Sequence, residues 1–158
     1  MKVANFMTPA DKAITASPFD TIGKVMALMQ EHKVGSIVVL HEEPHVVNQQ
    51  QPDLFARPLG IITKSDILRA YNHKTHTSVQ DPCRKIMHTD LAVVTPHMSR
   101  NQAAAIMQRN KIHHAVVIDD EDHGRFAGVI SSMDIASECA KDHLAWPWNR
   151  SEDGKLHR

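Results

Sequence analysis

The chain has 158 residues, a length that suits one compact domain or two small ones that share a core. Its 18 lysines and arginines balance 18 aspartates and glutamates, so no bulk positive charge favours nucleic acid or a membrane surface as a partner. Two cysteines without Cys-x-x-Cys spacing, no signal peptide and no long apolar span predict a reduced, cytoplasmic setting.

The first half of the chain predicts short strands that alternate with an amphipathic helix. A leading segment at residues 6–9 precedes an extended stretch at residues 14–16, because a residue ahead of a proline avoids the helical region. A helix is predicted to begin at Asp20 or Thr21, and residues 36–40 predict a buried strand. The apolar face of this helix consists of Ile22, Val25, Met26 and Met29.

Residues 41–58 interrupt this pattern with three prolines and three consecutive glutamines. Proline removes a backbone donor from a sheet, so the composition argues against a continuing strand and predicts a hairpin insertion without regular structure. Docking of Leu54 and Phe55 on a partner protein is the alternative interpretation.

A strand at residues 59–62 and a helix at residues 65–71 complete the first half, and residues 72–82 link it to the second half. His73 and His76 in this linker have the spacing of half a metal site, but no third ligand is near them in the sequence. We therefore expect no metal.

The second half predicts the same order of elements as the first half. The leading segment lies at residues 86–88, the extended stretch at residues 91–96, and the first helix begins at residue 99. The two strands lie at residues 115–118 and 127–130, and the second helix at residues 133–141. Ser99 and Gln102 have the spacing of a capping box. The acidic turn at residues 119–124 lacks the 12-residue pattern of a calcium-binding hand and is interpreted as a solvated loop. Trp146 and Trp148 near the end of the chain suggest packing at a subunit interface.

The two halves are copies of one unit. The stretch Gly60–Asp66 recurs 68 residues later as Gly128–Asp134, and both copies read glycine, two aliphatics, a hydroxyl residue, two variable positions and aspartate. Residues 18–40 also align without a gap on residues 96–118, at an offset of 78. The repeat therefore covers most of the chain.

The two copies differ at positions that bear on a binding site. His88 stands where the first copy has Thr8, so the role of a hydroxyl there is lost or changed. His113 and His114 stand where the first copy has Gly35 and Ser36. An imidazole there could stack on a base, pair with a phosphate when protonated, or simply fill a cleft.

Each repeated stretch ends in a hydroxyl-x-x-Asp sequence that leads into a helix. As capping boxes, Thr63 with Asp66 and Ser131 with Asp134 would bind the first amides of the two helices. The same junction also presents a hydroxyl, a carboxylate and unpaired N–H groups, which suit a ribose and its phosphates. One copy alone would be interpreted as a cap, whereas the recurrence favours a binding site.

The order, spacing and duplication of these motifs resemble a tandem pair of cystathionine-β-synthase (CBS) domains, also called a Bateman module. The residues that carry the resemblance are Met7-Thr8, residues 34–40, Gly60–Asp66, Met87, residues 112–118 and Gly128–Asp134. The resemblance implies an α/β fold of the α+β type, with two β-α-β-β-α repeats about a pseudo-two-fold axis. The expected divisions are residues 1–78 with the insertion at 41–58, residues 79–145, and a tail at residues 146–158.

The resemblance also implies a function. Such modules bind AMP, ADP, ATP or S-adenosylmethionine in clefts between the two copies and regulate other proteins. This chain is expected to be a stand-alone energy or metabolite sensor, a homodimer and not an enzyme, with an unidentified regulated partner. The alternative is a dimerisation or protein-interaction module whose clefts bind no nucleotide.

The resemblance places the ribose hydroxyls on Asp66 and Asp134, and the ribose or the α-phosphate on Thr63 and Ser131. Phosphate charge would be met by Lys64, with Arg69 and Arg109 as further candidates. The full set of expected ligand contacts is Thr15, Val34, Gly35, Gly60, Ile61, Ile62, Thr63, Lys64, Asp66, Val93, Ile112, His113, His114, Gly128, Val129, Ile130, Ser131 and Asp134. No catalytic constellation accompanies them.

Overall fold

The computed structural model of the chain describes residues 1–45, 53–72 and 76–141, with the backbone alone at residues 42–45 and 53–55. Its strands are β1 (Thr8–Pro9), β2 (Thr15–Ala16), β3 (Ser36–His45), β4 (Asp53–Thr63), β5 (Val93–Val94), β6 (His114–Asp119) and β7 (Arg125–Ser131). Its α-helices are α1 (Ile22–Glu31), α2 (Lys64–Asn72), α3 (Arg100–Asn110) and α4 (Ser132–Ala140). Short 3-10 turns at Val3–Asn5 and Cys83–Lys85 precede β1 and β5.

Two small sheets carry the two repeats. One sheet has the order β2-β3-β4 and the other the order β1-β7-β6-β5. In each repeat a two-residue strand runs parallel to the first long strand, which pairs with the second long strand in the antiparallel sense. The described elements thus follow the predicted β-α-β-β-α order twice, which confirms the fold class.

Each repeat has its own apolar core, and the two sheets share a third. Val25 and Ile37 belong to the first core, and Val94 and Met107 to the second. Between the sheets lie Val38, Ile61, Val116 and Phe126. Burial of these side chains removes apolar surface from water and fixes how the repeats face each other.

The leading segment of each repeat packs on the other repeat. Val3 is fully buried in the second core, and its N–H donates to the carbonyl oxygen of Met98 at 2.9 Å. Conversely, Cys83 is fully buried in the first core. Because β1 pairs with β7, the leading segment of the first repeat adds a strand to the sheet of the second.

The predicted helix and cap signals mark real helix starts. The Thr21 hydroxyl accepts from the N–H of Lys24 at 3.1 Å, and Ser99 with Gln102 forms a complete capping box. Three of the four residues predicted on the apolar face of α1 are buried. The prediction was wrong for Met26, which is 38% exposed at the edge of that face.

The prediction that no strand continues past residue 40 was also wrong. Strand β3 runs to His45, and β4 begins at Asp53, with Pro44 opposite Leu54 and Leu40 opposite Pro58. The two residue pairs that join β2 to β3 end at Val39, so β3 has a free edge beyond that point in the described structure. Proline is tolerated at such an edge because its missing N–H faces away from the ladder.

Several predictions fall outside the described residues: the centre of the insertion at residues 46–52, His73 of the linker, and both tryptophans of the tail. The predicted division at residue 78 and the tail boundary at residue 146 are not tested by the fold and stay predictions.

Candidate functional site

Two clefts lie at the two strand-to-helix junctions, between the repeats. Cleft one, at the β4-to-α2 junction, has a volume of about 450 Å³ and contains Asp66. Cleft two, at the β7-to-α4 junction, has a volume of about 290 Å³ and contains Asp134. Both are lined by residues of both repeats, so a molecule bound in either cleft would contact both halves of the chain.

The aspartate of cleft one has partners on both carboxylate oxygens. Oδ2 of Asp66 accepts from the N–H and from the hydroxyl of Thr63, each at 2.8 Å. Oδ1 accepts from the Arg69 guanidinium at 3.1 Å and lies 2.6 Å from Nε2 of His88. Asp66 is only 3% exposed, so these groups take the place of water around its charge.

The aspartate of cleft two has partners on one oxygen. Oδ2 of Asp134 accepts from the N–H of Ser131 at 2.7 Å and from its hydroxyl at 2.8 Å, which completes a capping box at α4. Oδ1 accepts no hydrogen bond from any residue that the structure describes. The cap interpretation is therefore correct for both junctions, but in cleft two it uses only half of the carboxylate.

One lysine from the C-terminus of a helix lines each cleft. Lys111 follows α3 and lines cleft one, whereas Lys33 follows α1 and lines cleft two. Both adopt the left-handed conformation, with φ of 54° and 53°, where the helix ends. Each cleft thus has a lysine as well as an aspartate in its lining, and Lys64 adds a second lysine to cleft one and Lys12 one to cleft two.

His114 lines both clefts. A Cβ added at Gly35 would lie 3.2 Å from its Nε2 atom, so Gly35 leaves room for the imidazole between the repeats. Burial lowers the pKa of His114, the charge of nearby His113 lowers it further, and Asp134 partly opposes the shift. The neutral imidazole is thus favoured in this part of the fold.

The structure brings most of the predicted site residues to the two clefts. Those that line cleft one are Gly35, Ile61, Thr63, Lys64, Asp66, Ile112, His113 and His114. Those that line cleft two are Val34, Gly35, His114, Val129, Ile130, Ser131 and Asp134. Of the additional phosphate candidates, Arg69 lines cleft one.

Five of the predicted contact residues and Arg109 line neither cleft, and their contact with a ligand stays a prediction. Thr15 lines a separate surface hollow beside Phe19. Ile62 is fully buried in the first core, and Val93 is 36% exposed on the short strand β5. Arg109 is exposed near the end of α3.

The two repeated glycines, Gly60 and Gly128, lie close against the leading segments. A Cβ at Gly60 would lie 2.8 Å from the carbonyl oxygen of His88, and one at Gly128 would lie 2.2 Å from that of Thr8. Each glycine therefore allows the other repeat's leading segment to approach the strand closely.

Sequence reasoning did not assign Lys33, Lys111 or Lys12 to the site. Lys33 and Lys111 occupy equivalent positions of the repeat, so their shared charge was a signal that could have been used. It also missed that His88 contacts Asp66, because the two residues are far apart in the sequence and in different repeats.

Two further features bear on chemistry. No group of three metal-ligating side chains occurs in the described part of the chain. Among the same residues, none of the helices combines the length and apolar character needed to cross a membrane.

Comparison with known proteins agrees with this geometry. The sequence profile of the CBS domain matches residues 3–73 and 83–141. An uncharacterised 17.7 kDa protein of Acidianus ambivalens is 30% identical over 125 residues, which cover 79% of this chain and 66% of that protein. An uncharacterised Methanopyrus kandleri protein is 27% identical over 77% of this chain and 55% of its own length. The chain thus spans two thirds or less of both relatives.

Solved structures share the fold. The CBS domain pair of protein MJ0100, in complex with 5′-methylthioadenosine and S-adenosyl-L-methionine, has a TM-score of 0.71 and 19% identity over 89% of this chain and 97% of that one. A CBS domain protein of Pyrobaculum aerophilum, complexed with AMP, has a TM-score of 0.66 and 23% identity over 89% and 99%. With two profile matches that together cover most of its length, the chain belongs to the CBS domain family.

Proposed function

We propose that the chain is a regulatory module that binds an adenosine-containing ligand, such as AMP, ADP, ATP or S-adenosylmethionine, with cleft two as the principal site. One observation carries this proposal: Asp134 lines cleft two, and its Oδ1 atom accepts no hydrogen bond from any residue that the structure describes. A carboxylate oxygen has two lone pairs, which match the two vicinal hydroxyls of a ribose.

The remaining lining of cleft two suits the rest of such a ligand. Val34, Val38 and Val129 supply apolar walls for a base, and Lys12 and Lys33 supply positive charge for a phosphate. Two proteins of the same fold are named for complexes with adenosyl ligands, which supports this ligand class for the chain.

Regulation would follow from the position of cleft two between the repeats. Its lining combines Val34 and Ser36 of the first repeat with Ser131 and Asp134 of the second. A ligand shifts a conformational equilibrium by the difference in its affinity for the two states, so contacts with both repeats let it change how they pack. We propose that a partner protein senses this change and that the chain itself catalyses no reaction.

The test is a thermal-shift panel of AMP, ADP, ATP, S-adenosylmethionine, NAD and GTP. An adenosyl ligand at 100 times its dissociation constant should stabilise the fold by about 2.7 kcal/mol. Asp134→Asn should remove most of this shift, because the amide oxygen can keep the cap while the amide nitrogen cannot accept from a ribose. Asp120→Asn, on the exposed turn, is the matched control and should bind normally. A flat panel with the wild-type chain would contradict the proposal.

We also propose that the chain is a homodimer. Large apolar side chains are exposed on three helices, including Leu68 at 69%, Tyr71 at 45% and Met133 at 70%. They also favour the second candidate function, an interaction module without a nucleotide. Light scattering on the purified chain tests the dimer: we expect twice the 17.7 kDa mass of one chain, and a monomer at high concentration would contradict it.

A further inference from the structure

The carboxylate of cleft one has no acceptor site left for a ribose. Its four lone-pair positions face the Thr63 N–H, the Thr63 hydroxyl, Arg69 and His88, at distances between 2.6 and 3.1 Å. Cleft two has the same aspartate and the same type of hydroxyl cap, but Oδ1 of Asp134 has no such contacts in the described structure.

The difference traces to two positions of the repeat, because Arg69 corresponds to Ser137 and His88 differs as well. His88 in the leading segment of the second repeat corresponds to Thr8 in the first, and each lines the cleft on the opposite repeat. Two backbone hydrogen bonds with Ile61, at 2.9 and 3.0 Å, fix the main chain of His88 beside β4. The imidazole is thereby held within reach of Asp66.

A ribose that binds Asp66 must displace His88 and Arg69 from Oδ1. Both side chains can move away, since His88 is 53% and Arg69 55% exposed, but a buried carboxylate then loses its cationic partner. A neutral nucleoside gives the displaced side chains no new anionic partner. A phosphate group provides one, and Lys111 and Lys64 line the same cleft.

We propose that His88 is a specificity-determining residue, which restricts cleft one to adenosyl ligands that carry a phosphate, whereas cleft two also binds a nucleoside without one. The inference rests on the proposed function, because it assumes that the aspartates bind a ribose. It assigns different ligand classes to two clefts that derive from one repeated sequence.

The test uses the full chain with one cleft silenced at a time. Asp134→Asn isolates cleft one, and Asp66→Asn isolates cleft two. Calorimetric titration with AMP and with adenosine gives the ratio of their affinities in each background. We expect AMP to exceed adenosine in affinity by a larger factor in cleft one than in cleft two, where Lys12 and Lys33 favour a phosphate but do not require it.

The swap variants exchange the leading-segment residue that differs and leave Arg69 in place. His88→Thr in the Asp134→Asn chain should raise adenosine affinity at cleft one about tenfold, equivalent to about 1.4 kcal/mol, and should reduce the AMP-to-adenosine ratio. Thr8→His in the Asp66→Asn chain is the reverse swap and should weaken adenosine at cleft two by a similar factor.

An independent measurement covers the case in which a swap variant does not fold. In the Asp134→Asn chain, the NMR signals of the His88 imidazole should move on addition of AMP and stay in place with adenosine at the same concentration. The inference would be overturned if the His88 signals stay in place although AMP binds. It would also be overturned if a folded His88→Thr variant keeps the same AMP-to-adenosine affinity ratio. Neither outcome would contradict the proposed function. Absence of binding of both ligands to the wild-type chain would overturn the proposed function and the inference with it.

Discussion

Cleft one and cleft two are built from the same repeated stretch, yet their aspartates have different surroundings. Asp66 is almost completely buried and has contacts on both oxygens, whereas Asp134 is half-buried and keeps one oxygen without a partner in the described structure. The difference arises from His88, which the second repeat's leading segment brings to cleft one, and from Arg69 of α2, three residues after Asp66. A duplicated motif can therefore yield two unequal sites without any change in the motif itself.

The largest expected effect tests the close packing of the leading segments against the strands at Gly128 and Gly60. A Cβ at Gly128 would lie 2.2 Å from the backbone oxygen of Thr8, so Gly128→Ala forces β1 and β7 apart. We expect a loss of about 3 kcal/mol in the free energy of unfolding, measured by urea denaturation. Gly60→Ala meets its nearest atoms at 2.8 Å and should cost about 1 kcal/mol. An equal loss in the free energy of unfolding of both variants would show that the two leading segments pack equally closely against their strands.

The next effect separates the two aspartates. Asp134→Asn should weaken an adenosyl ligand at cleft two by about 2 kcal/mol, because it replaces a charged acceptor by a donor. Asp66→Asn should weaken overall binding of adenosine much less. Calorimetric titration of both variants with adenosine checks this, and a larger loss from Asp66→Asn would reverse the ranking of the clefts.

A smaller effect separates folding from binding. Lys111 has φ of 54°, a conformation that costs a non-glycine residue roughly 1 kcal/mol. Lys111→Gly should raise the free energy of unfolding by about 0.5–1 kcal/mol, yet weaken AMP a few-fold by removal of a cation from cleft one. Lys111→Gln, which removes the charge and keeps the side chain, is the control. Tighter AMP binding in Lys111→Gly would contradict the assignment.

The smallest effect concerns pH. Burial lowers the pKa of His114 below its usual 6.5 in the folded state, so the fold favours the neutral form. The stability that this group contributes is complete above the unfolded pKa and is lost as pH falls through the folded pKa. We expect the free energy of unfolding to decline as the pH falls below about 6.5, and to decline less in His114→Ser, which copies Ser36. An identical decline in both chains would exclude His114 as its source.

Much of the fold follows from local sequence. The alignment of residues 18–40 with 96–118 identifies both halves, and the hydroxyl-x-x-Asp spacing locates the starts of α2 and α4. Residues such as Asp66 and Ser131 reach the clefts because a strand that feeds a helix leaves few choices for the junction. These are short-range rules, and a repeat allows each to be applied twice.

What the sequence did not predict depends on contacts between distant residues. Proline at position 44 is unfavourable in a central strand, but β2 is too short to cover that end of β3. Thr15 and Val93 belong to short strands whose side-chain directions depend on how the sheets pack. The contact between His88 and Asp66 joins two repeats, so no pattern within either repeat indicates it.

The most direct test of the unequal clefts is a ¹H–¹⁵N NMR titration of the wild-type chain with adenosine. The amide signals of Ser131 and Asp134 should shift at low ligand concentration, while those of Thr63 and Asp66 stay in place. Shifts of Thr63 and Asp66 that come first, or that match those of cleft two at every concentration, would contradict the account.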